Sequence, residues 1–355
     1  MTKKHHKHPF PFRDKPWENN ENNIWIASTF QLMRNVDKFP FPEKLDQERR
    51  EQIVSLVSRK LLEMKELKKP VLFKVEALTP FEKEFLFEHF LSRQSFSAAH
   101  AGEAFVLDET GRFFVTLNIH NHIQFEFIEC GGELEAAWNT LVRFDVALGH
   151  AVNFAFSHRF GFLTANPATC GTGFILSLFL QPVALIQTGQ LSSVLEKMAH
   201  DSIEVTGLGD NPEDFLGDIL VLRNRYTLGV TEENILSSLR LFATRLCVEE
   251  RSLRTRLTHE EAAKMKDKVS RAYGVLLHSY EIEAREALEE ISLLKLGLDL
   301  GWISGTTPTL LNRLFFYCRR GHLLQHQGKE TPPEALAHMR SSMIHAELKG
   351  VTLHI

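Results

Sequence analysis

The sequence predicts an α+β fold, an antiparallel sheet flanked by helices and followed by an all-helical C-terminal domain. Three observations predict it. Short apolar runs with strand periodicity recur through the first two-thirds of the chain, the clearest being a strict alternation over residues 122–128. Amphipathic helical stretches stand between those runs. From about Thr258 strand patterns cease, and four helical patterns follow, separated by turns bearing Gly301, Gly305, Gly321 and Gly328. The domain boundaries that follow are a basic tail over 1–23, a first domain over 24–255 and a helical domain over 258–350.

Taken in order, the opening MTKKHHKHPFPFRDKP is basic, His-rich and Pro-rich. It reads as a disordered leader rather than a metal- or anion-binding segment. Folded structure is expected from Ile24. Residues 43–67 place Leu45, Ile53, Leu56, Val57 and Leu61 near one helix face, and residues 80–92 form a second helix carrying Phe81, Phe85, Phe87 and Phe90. Residues 104–107, Asp108–Gly111 and 112–117 read as strand, turn and strand. In the alternating run Ile123, Phe125 and Phe127 face one way and His122, Gln124 and Glu126 the other, the pattern of a half-buried strand. Helix is expected over 133–150, strand over 174–180, a long helix through 191–199, strand over 218–225 and helix over 231–246. The helical domain reads as 259–280, 281–300, 307–318 and 333–348. Its apolar content around Leu293–Leu300 and Leu310–Phe316 exceeds what one thin layer buries, so packing on the first domain or on a second copy, a homodimer, is expected.

Length and composition bound the function. At 355 residues, 43% hydrophobic and 24% charged, the chain is an ordinary globular protein of about two domains. A net charge of −4 supplies no global field for nucleic acid or an anionic membrane. The four cysteines stand far apart without a CxxC pair, which excludes a zinc ribbon within the chain and points to a reducing compartment. No apolar run reaches the ~20 residues of a membrane span, and none at the N-terminus resembles a signal peptide. A cytoplasmic location is the resulting expectation. Phe outnumbers Tyr and Trp, 27 against 4 and 4, so few aromatic hydroxyls are at hand for chemistry.

At Phe160–Ser177 the sequence reads FGFLTANPATCGTGFILS. This resembles the FGYLTSCPTNLGTGLRAS loop of the ATP:guanidino phosphotransferases, the phosphagen kinase family. Further landmarks follow in the family's order. ASTFQLMRNVDKFPFP (27–42) resembles SSRIRLARN…PFP, NIHNHIQ (118–124) resembles NEEDHLR, and RNRYTLG (223–229) resembles SNQxTLG. AYGVLLH (272–278), LGLDLGWI (296–303) and LNRL (311–314) are similar to the C-terminal domain of the bacterial protein-arginine kinase branch, McsB. The resemblance spans roughly residues 24–350.

It implies a set of arginines gripping ATP phosphates and two glutamates holding the substrate guanidinium. Carried over residue by residue, the arginines fall on Thr29, Gln31, Gln124, Ile175 and Thr206. The NEEDH glutamates fall on Ile119 and His120, its aspartate on Asn121, its histidine on His122, and the family's active-site cysteine on Asn166. Asp210 stands for the glutamate of the GEG loop. In the helical domain the phosphoarginine-binding RDxxRA motif falls on residues 335–340, with Ala335 and Leu336 at its Arg and Asp. Residues that shape the backbone remain: Asn35, Pro40, Pro42, Asn118, His122, Pro167, Gly171, Gly173, Asn224 and Gly229. Losses concentrated at charge predict a dismantled site on a kept fold, with no catalytic residue, no bound cofactor and no metal.

Other constellations are weaker. His120 and His122 share a strand face at i, i+2, which could suit a metal, although a kept family histidine beside a chance one is the preferred reading; His322 and His326 at i, i+4 read as surface residues; Asp210 with His120 could imitate an acid/base pair. Two function classes remain. The first is an inactive homologue, a pseudokinase, acting by binding; the resemblance then implies McsA-like zinc-finger and ClpC-type unfoldase partners in protein quality control. The second is an active arginine or guanidino kinase with a rebuilt site, using ATP and Mg. It requires Arg34, Arg159, Arg223 and Arg225 to converge on the Thr29, Gln31, Gln124 and Ile175 cluster.

Overall fold

A computed structural model describes residues 10–18, 20–92, 101–209, 211–212, 214–257, 262–327 and 332–355. The first domain runs β1 (Trp25–Arg34), α1 (Gln47–Glu63), β2 (Val71–Lys74), α2 (Pro80–His89), β3 (Ala104–Leu107), β4 (Phe113–Leu117), β5 (Ile123–Glu129) and α3 (Leu134–Gly149). It continues through β6 (Phe156–Ser157), β7 (Gly161–Phe162), β8 (Phe174–Leu180), α4 (Val183–Gln187), α5 (Leu191–Met198), β9 (Ile203–Gly207), β10 (Leu220–Asn224) and α6 (Glu232–Leu257). After it come α7 (Ala262–His278), α8 (Ala284–Asp299), β11 (Ile303–Ser304), α9 (Pro308–Tyr317), α10 (Arg320–Gln327), α11 (Pro333–Glu347) and β12 (Thr352–Leu353).

Eight strands form one antiparallel sheet in the order β2-β3-β4-β5-β1-β8-β10-β9, with β1 between β5 and β8. Register sorts its side chains into two faces, because alternate residues point oppositely. Phe30 lies opposite Phe127 and Leu176, and Leu32 opposite Phe125 and Phe174. This apolar face carries the helices: the Phe144 ring of α3 lies 4.6 Å from Phe125, Trp138 lies 4.6 Å from Phe174, and α6 packs on β8 and β10. The other face bears Thr29, Gln31, Gln124, Glu126, Ile175, Ser177 and Arg223. Local signals hold the helix starts: Asp46 accepts from the Arg49 N–H to cap α1, and Thr79 with Glu82 forms a capping box on α2.

The structure corrects several expectations. β5 is not half-buried; all seven residues are buried, since both sheet faces are covered there. The long helix after β8 is two short ones, broken where Gly189 adopts φ +71°. β1, β2 and β9 are strands that the periodicity did not single out, and the helical region holds the additional α10 and the β11–β12 pair. The leader is ordered from Phe10: Phe10 and Trp17 are buried, and Trp17 stacks on Phe316 with ring centroids 4.2 Å apart. The stretch MTKKHHKHP lies outside the described residues. Leu294, Leu296, Leu311, Leu314, Phe315 and Phe316 are buried within the single chain, α8 packing on α4 of the first domain. A second copy is therefore not needed to cover them. No helix among the described residues is long and apolar enough to cross a membrane.

Candidate functional site

The frame around the carried-over positions is held by side chains that bond to backbone. Asn118, at φ +60°, donates through Nδ2 to the carbonyls of Arg50 (2.8 Å) and Gly102 (2.9 Å). Asn35 donates to Asn121 Oδ1 (2.8 Å) and Leu163 O (2.9 Å), and its own Oδ1 accepts the His122 N–H. Asn121 Oδ1 also accepts the Ala165 N–H at 2.8 Å, tying the 118–122 turn to the 163–165 loop. Asn224 bridges β8 and β10, accepting from Leu176 and donating to Phe174 O. Gly171 and Gly173 both have positive φ; a Cβ on Gly171 would sit 2.2 Å from Thr227 O, and one on Gly173 2.7 Å from Met33 O. These loops close backbone against backbone, which only glycine permits.

His122 is part of that frame. Its Nδ1 accepts the Val36 N–H at 2.9 Å, so Nε2 carries the proton and donates to Pro40 O at 2.9 Å. Burial pushes its pKa down to about 4, against the opposing bond to Pro40. His120 is exposed on the same turn, so the two imidazoles do not share a face. An unfolded imidazole protonates near 6.5, and the folded one resists the proton until about 4. Stability from this group is full above pH 6.5 and is lost as pH falls toward 4, by about 3 kcal/mol. Asp218, raised to about 6 by burial, acts oppositely, its contribution falling as pH rises from 3.8 to 6. Urea unfolding of the parent and His122→Asn at pH 7 and pH 4.5 separates them: the variant is expected to be less stable at pH 7 and to lose less on acidification. Equal losses in both proteins would refute this role.

The cationic positions of the resemblance meet on the sheet's polar face. Gln31 pairs with Glu126 on β5 and Ile175 on β8, Thr29 pairs with Ile128 and Ser177, and Thr206 lies two residues from Glu204, which faces Arg223. The central group is one the sequence reading passed over. Glu126 is buried, and its Oε1 accepts from Gln124 Nε2 (2.9 Å) and Gln31 Nε2 (3.2 Å), while Oε2 accepts the Ser92 hydroxyl. Burial raises its carboxyl pKa, opposed by those three bonds. The alternation had placed Glu126 on the polar face with Gln124; only the β1–β5 register brings Gln31 to it.

Of the four arginines that a rebuilt site requires, Arg34 is 2% exposed and fully engaged in the frame. Its Nε and Nη2 donate to the Asp145 carboxylate (3.0 and 2.9 Å), Nη1 donates to Met33 O and Thr172 O, and its guanidinium lies 3.5 Å from the Phe162 ring centroid. Arg159 is exposed over Phe160, and Arg225 is exposed beyond β10. Arg223 alone stands on the polar face, donating to Ser177 Oγ at 3.0 Å and 3.7 Å from Glu204. The four do not converge.

The remaining positions scatter by role. Ile119 is half-buried in the turn, and Asn166 is exposed, its Oδ1 capping a 3-10 turn at the Ala168 N–H. Asp210 lies outside the described residues, as does the His326 side chain; His322 is buried rather than superficial. In α11, Leu336 packs with Leu323 and Leu324, and Arg340 donates to Cys318 O and Ile282 O, both at 2.7 Å. Among the described residues no three His, Cys, Asp or Glu side chains gather as a metal site, and the four cysteines are free thiols.

Comparison with known proteins places these features. Residues 52–253 match the family ATP:guanido phosphotransferase, C-terminal catalytic domain, and residues 262–354 match the Protein-arginine kinase McsB C-terminal domain. The chain is 33% identical over 336 residues to a protein-arginine kinase of Chlamydia pneumoniae, covering 93% of each. It is 29% identical over 328 residues to that of Halothermothrix orenii, covering 92% of this chain and 94% of the relative. Among solved structures, lombricine kinase superimposes with a TM-score of 0.58 at 16% identity, over 68% of this chain and 70% of that one; this likeness concerns the fold alone.

Proposed function

The chain belongs to the ATP:guanido phosphotransferase family, in the McsB-like branch, and on that premise we propose that it acts by binding other proteins rather than by transferring a phosphoryl group. One observation carries this reading: at positions where the family resemblance puts phosphate-gripping arginines, Gln31 and Gln124 turn their amides onto the buried Glu126 carboxylate. ATP carries a charge of about −4, and phosphoryl transfer develops further charge that a single arginine can stabilise by ~10³–10⁵ in rate. A carboxylate held by two neutral amides offers the wrong sign and a donor set already engaged. The residues present therefore do not fit a nucleoside triphosphate in the family's manner.

Millimolar Mg–ATP is expected to leave the melting temperature unchanged, because a ligand stabilises only the state it binds. Radiolabel from γ-labelled ATP is expected not to reach an arginine-rich protein. A clear upward shift together with label on arginine would overturn the reading in favour of a rebuilt kinase; that second reading rests on Arg223, the one arginine of the four on the polar face. The partners proposed are an unfoldase of the ClpC type and a small McsA-like zinc-finger protein. Capture on the immobilised full chain tests the pair directly.

A further inference from the structure

Resting on the reading of a chain that acts by binding, we propose that the β6–β7 hairpin and the β10–α6 loop together form a docking surface for an acidic peptide segment carrying apolar side chains. Four large hydrophobic residues stand out of the core here: Phe156 is 55% exposed, Phe160 41%, Tyr226 50% and Leu228 49%. A hydrophobic residue exposed singly needs no explanation, but four on two adjoining segments make a patch.

The segments adjoin through backbone. Phe162 and Gly171 exchange N–H···O bonds of 2.8 and 3.2 Å, and the Thr172 N–H donates to Thr227 O at 2.9 Å. A Cβ on Gly161 would sit 2.7 Å from Gly171 Cα, and one on Gly171 would sit 2.8 Å from Leu228 Cα. The hairpin, the 171–172 loop and the β10–α6 loop therefore stack in that order, backbone on backbone. This pinning holds the chain that presents the patch, so little ordering is left to a partner's arrival.

Charge selects the occupant. The Arg159 guanidinium lies 5.0 Å from the Phe160 ring centroid, and Arg225 precedes Tyr226. Both arginines are exposed, and neither has an ion-pair partner among the described residues. Asp201, brought near by the Ser202 carbonyl that accepts the Arg225 N–H at 2.8 Å, forms no ion pair with it. No Asp or Glu occurs between Asp145 and Glu196, or between Asp218 and Glu232, so these segments carry no carboxylate of their own. Aromatic and Arg side chains are the common anchors of protein interfaces, and a guanidinium fork matches a carboxylate. A nucleic-acid strand is the other polyanion that stacks on aromatic rings. Two free arginines on a chain of net charge −4 are too few to hold its phosphates.

Fluorescence anisotropy of a labelled decapeptide of Asp and Glu with two Phe tests this on the full chain. Saturable binding is expected, weakened at least about tenfold when Ser replaces both Phe. The Arg159→Glu/Arg225→Glu protein should bind the peptide at least about tenfold more weakly. Arg59→Glu/Arg245→Glu makes the same change of net charge on α1 and in mid-α6, and should weaken binding less than about threefold. All four arginines are exposed, so both variants are expected to keep the parent's melting temperature. A single-stranded deoxythymidine decamer should bind more weakly than the peptide. Failure of the peptide to saturate overturns the docking surface; so do equal losses in the two double variants, or tighter binding of the decamer. The Mg–ATP test of the binding reading is independent of these outcomes, so the surface and that reading can fall separately.

Discussion

Arg34→Met is expected to destabilise the protein by about 3–5 kcal/mol, the range for removing one partner of a buried ion pair. The physical reason lies in what the guanidinium leaves behind. Asp145 loses both its donors, the carbonyls of Met33 and Thr172 lose theirs, and the Phe162 ring loses the cation 3.5 Å from its centroid. Asp145 sits on α3, Met33 on β1 and Thr172 in the loop before β8, so one side chain ties three elements. Replacing both ends, Arg34→Met with Asp145→Leu, should return a large part of the loss, since no unpaired charge then remains buried. Urea unfolding of both singles and the double closes the cycle. A single-mutant loss under about 1 kcal/mol would show that the pair is worth no more than a surface bridge. The outcome also bears on function: an arginine committed to these contacts is kept by the fold and is not a remnant of a phosphate grip.

Much of the fold was legible because its signals are local. The alternation at 122–128, the apolar run 174–180 and the helical periods over α1, α3, α8 and α9 need only neighbouring residues. What was hidden depends on partners distant in sequence. β2 and β9 are short strands whose assignment rests on pairing with β3 and β10, and neither stands out by itself. Phe10 and Trp17 looked like leader residues because Pro and basic side chains surround them; the rings that bury them, Phe85, His89 and Phe316, lie 70 to 300 positions away. The site divides the same way. The missing arginines could be read one by one against a motif. Glu126 could not, since its meaning comes from Gln31 across the β1–β5 pairing and from Ser92, three residues beyond α2. Arg34 was visible as a surviving cation, but not as the partner of Asp145, 111 residues on.

Restoring arginine at Thr29, Gln31, Gln124 and Ile175 is expected not to recover firm Mg–ATP binding while Glu126 remains. New guanidiniums at Gln31 and Gln124 would stand where the amides now reach Glu126 Oε1, at 2.9–3.2 Å. They would pair with that carboxylate and raise its ionised fraction, so part of the added positive charge would be cancelled inside the cluster. The same four substitutions combined with Glu126→Gln should bind Mg–ATP at least about tenfold more tightly, as expected when one like charge is removed from beside a polyanion at an effective interior dielectric. Glu126→Gln alone should raise stability at pH 7. Its folded pKa is raised above the unfolded value, so the ionised form weighs against folding as pH climbs past 4.5 and through the folded pKa, and the amide removes that dependence. Calorimetric titration of the two multiple variants decides the matter. Equal affinities would mean that Glu126 does not set the sign of this face, and the case for a protein that binds rather than phosphorylates would lose its principal support. Phosphoryl transfer is not expected from either variant, because Ile119 and His120 still supply no carboxylate to hold and deprotonate a guanidinium.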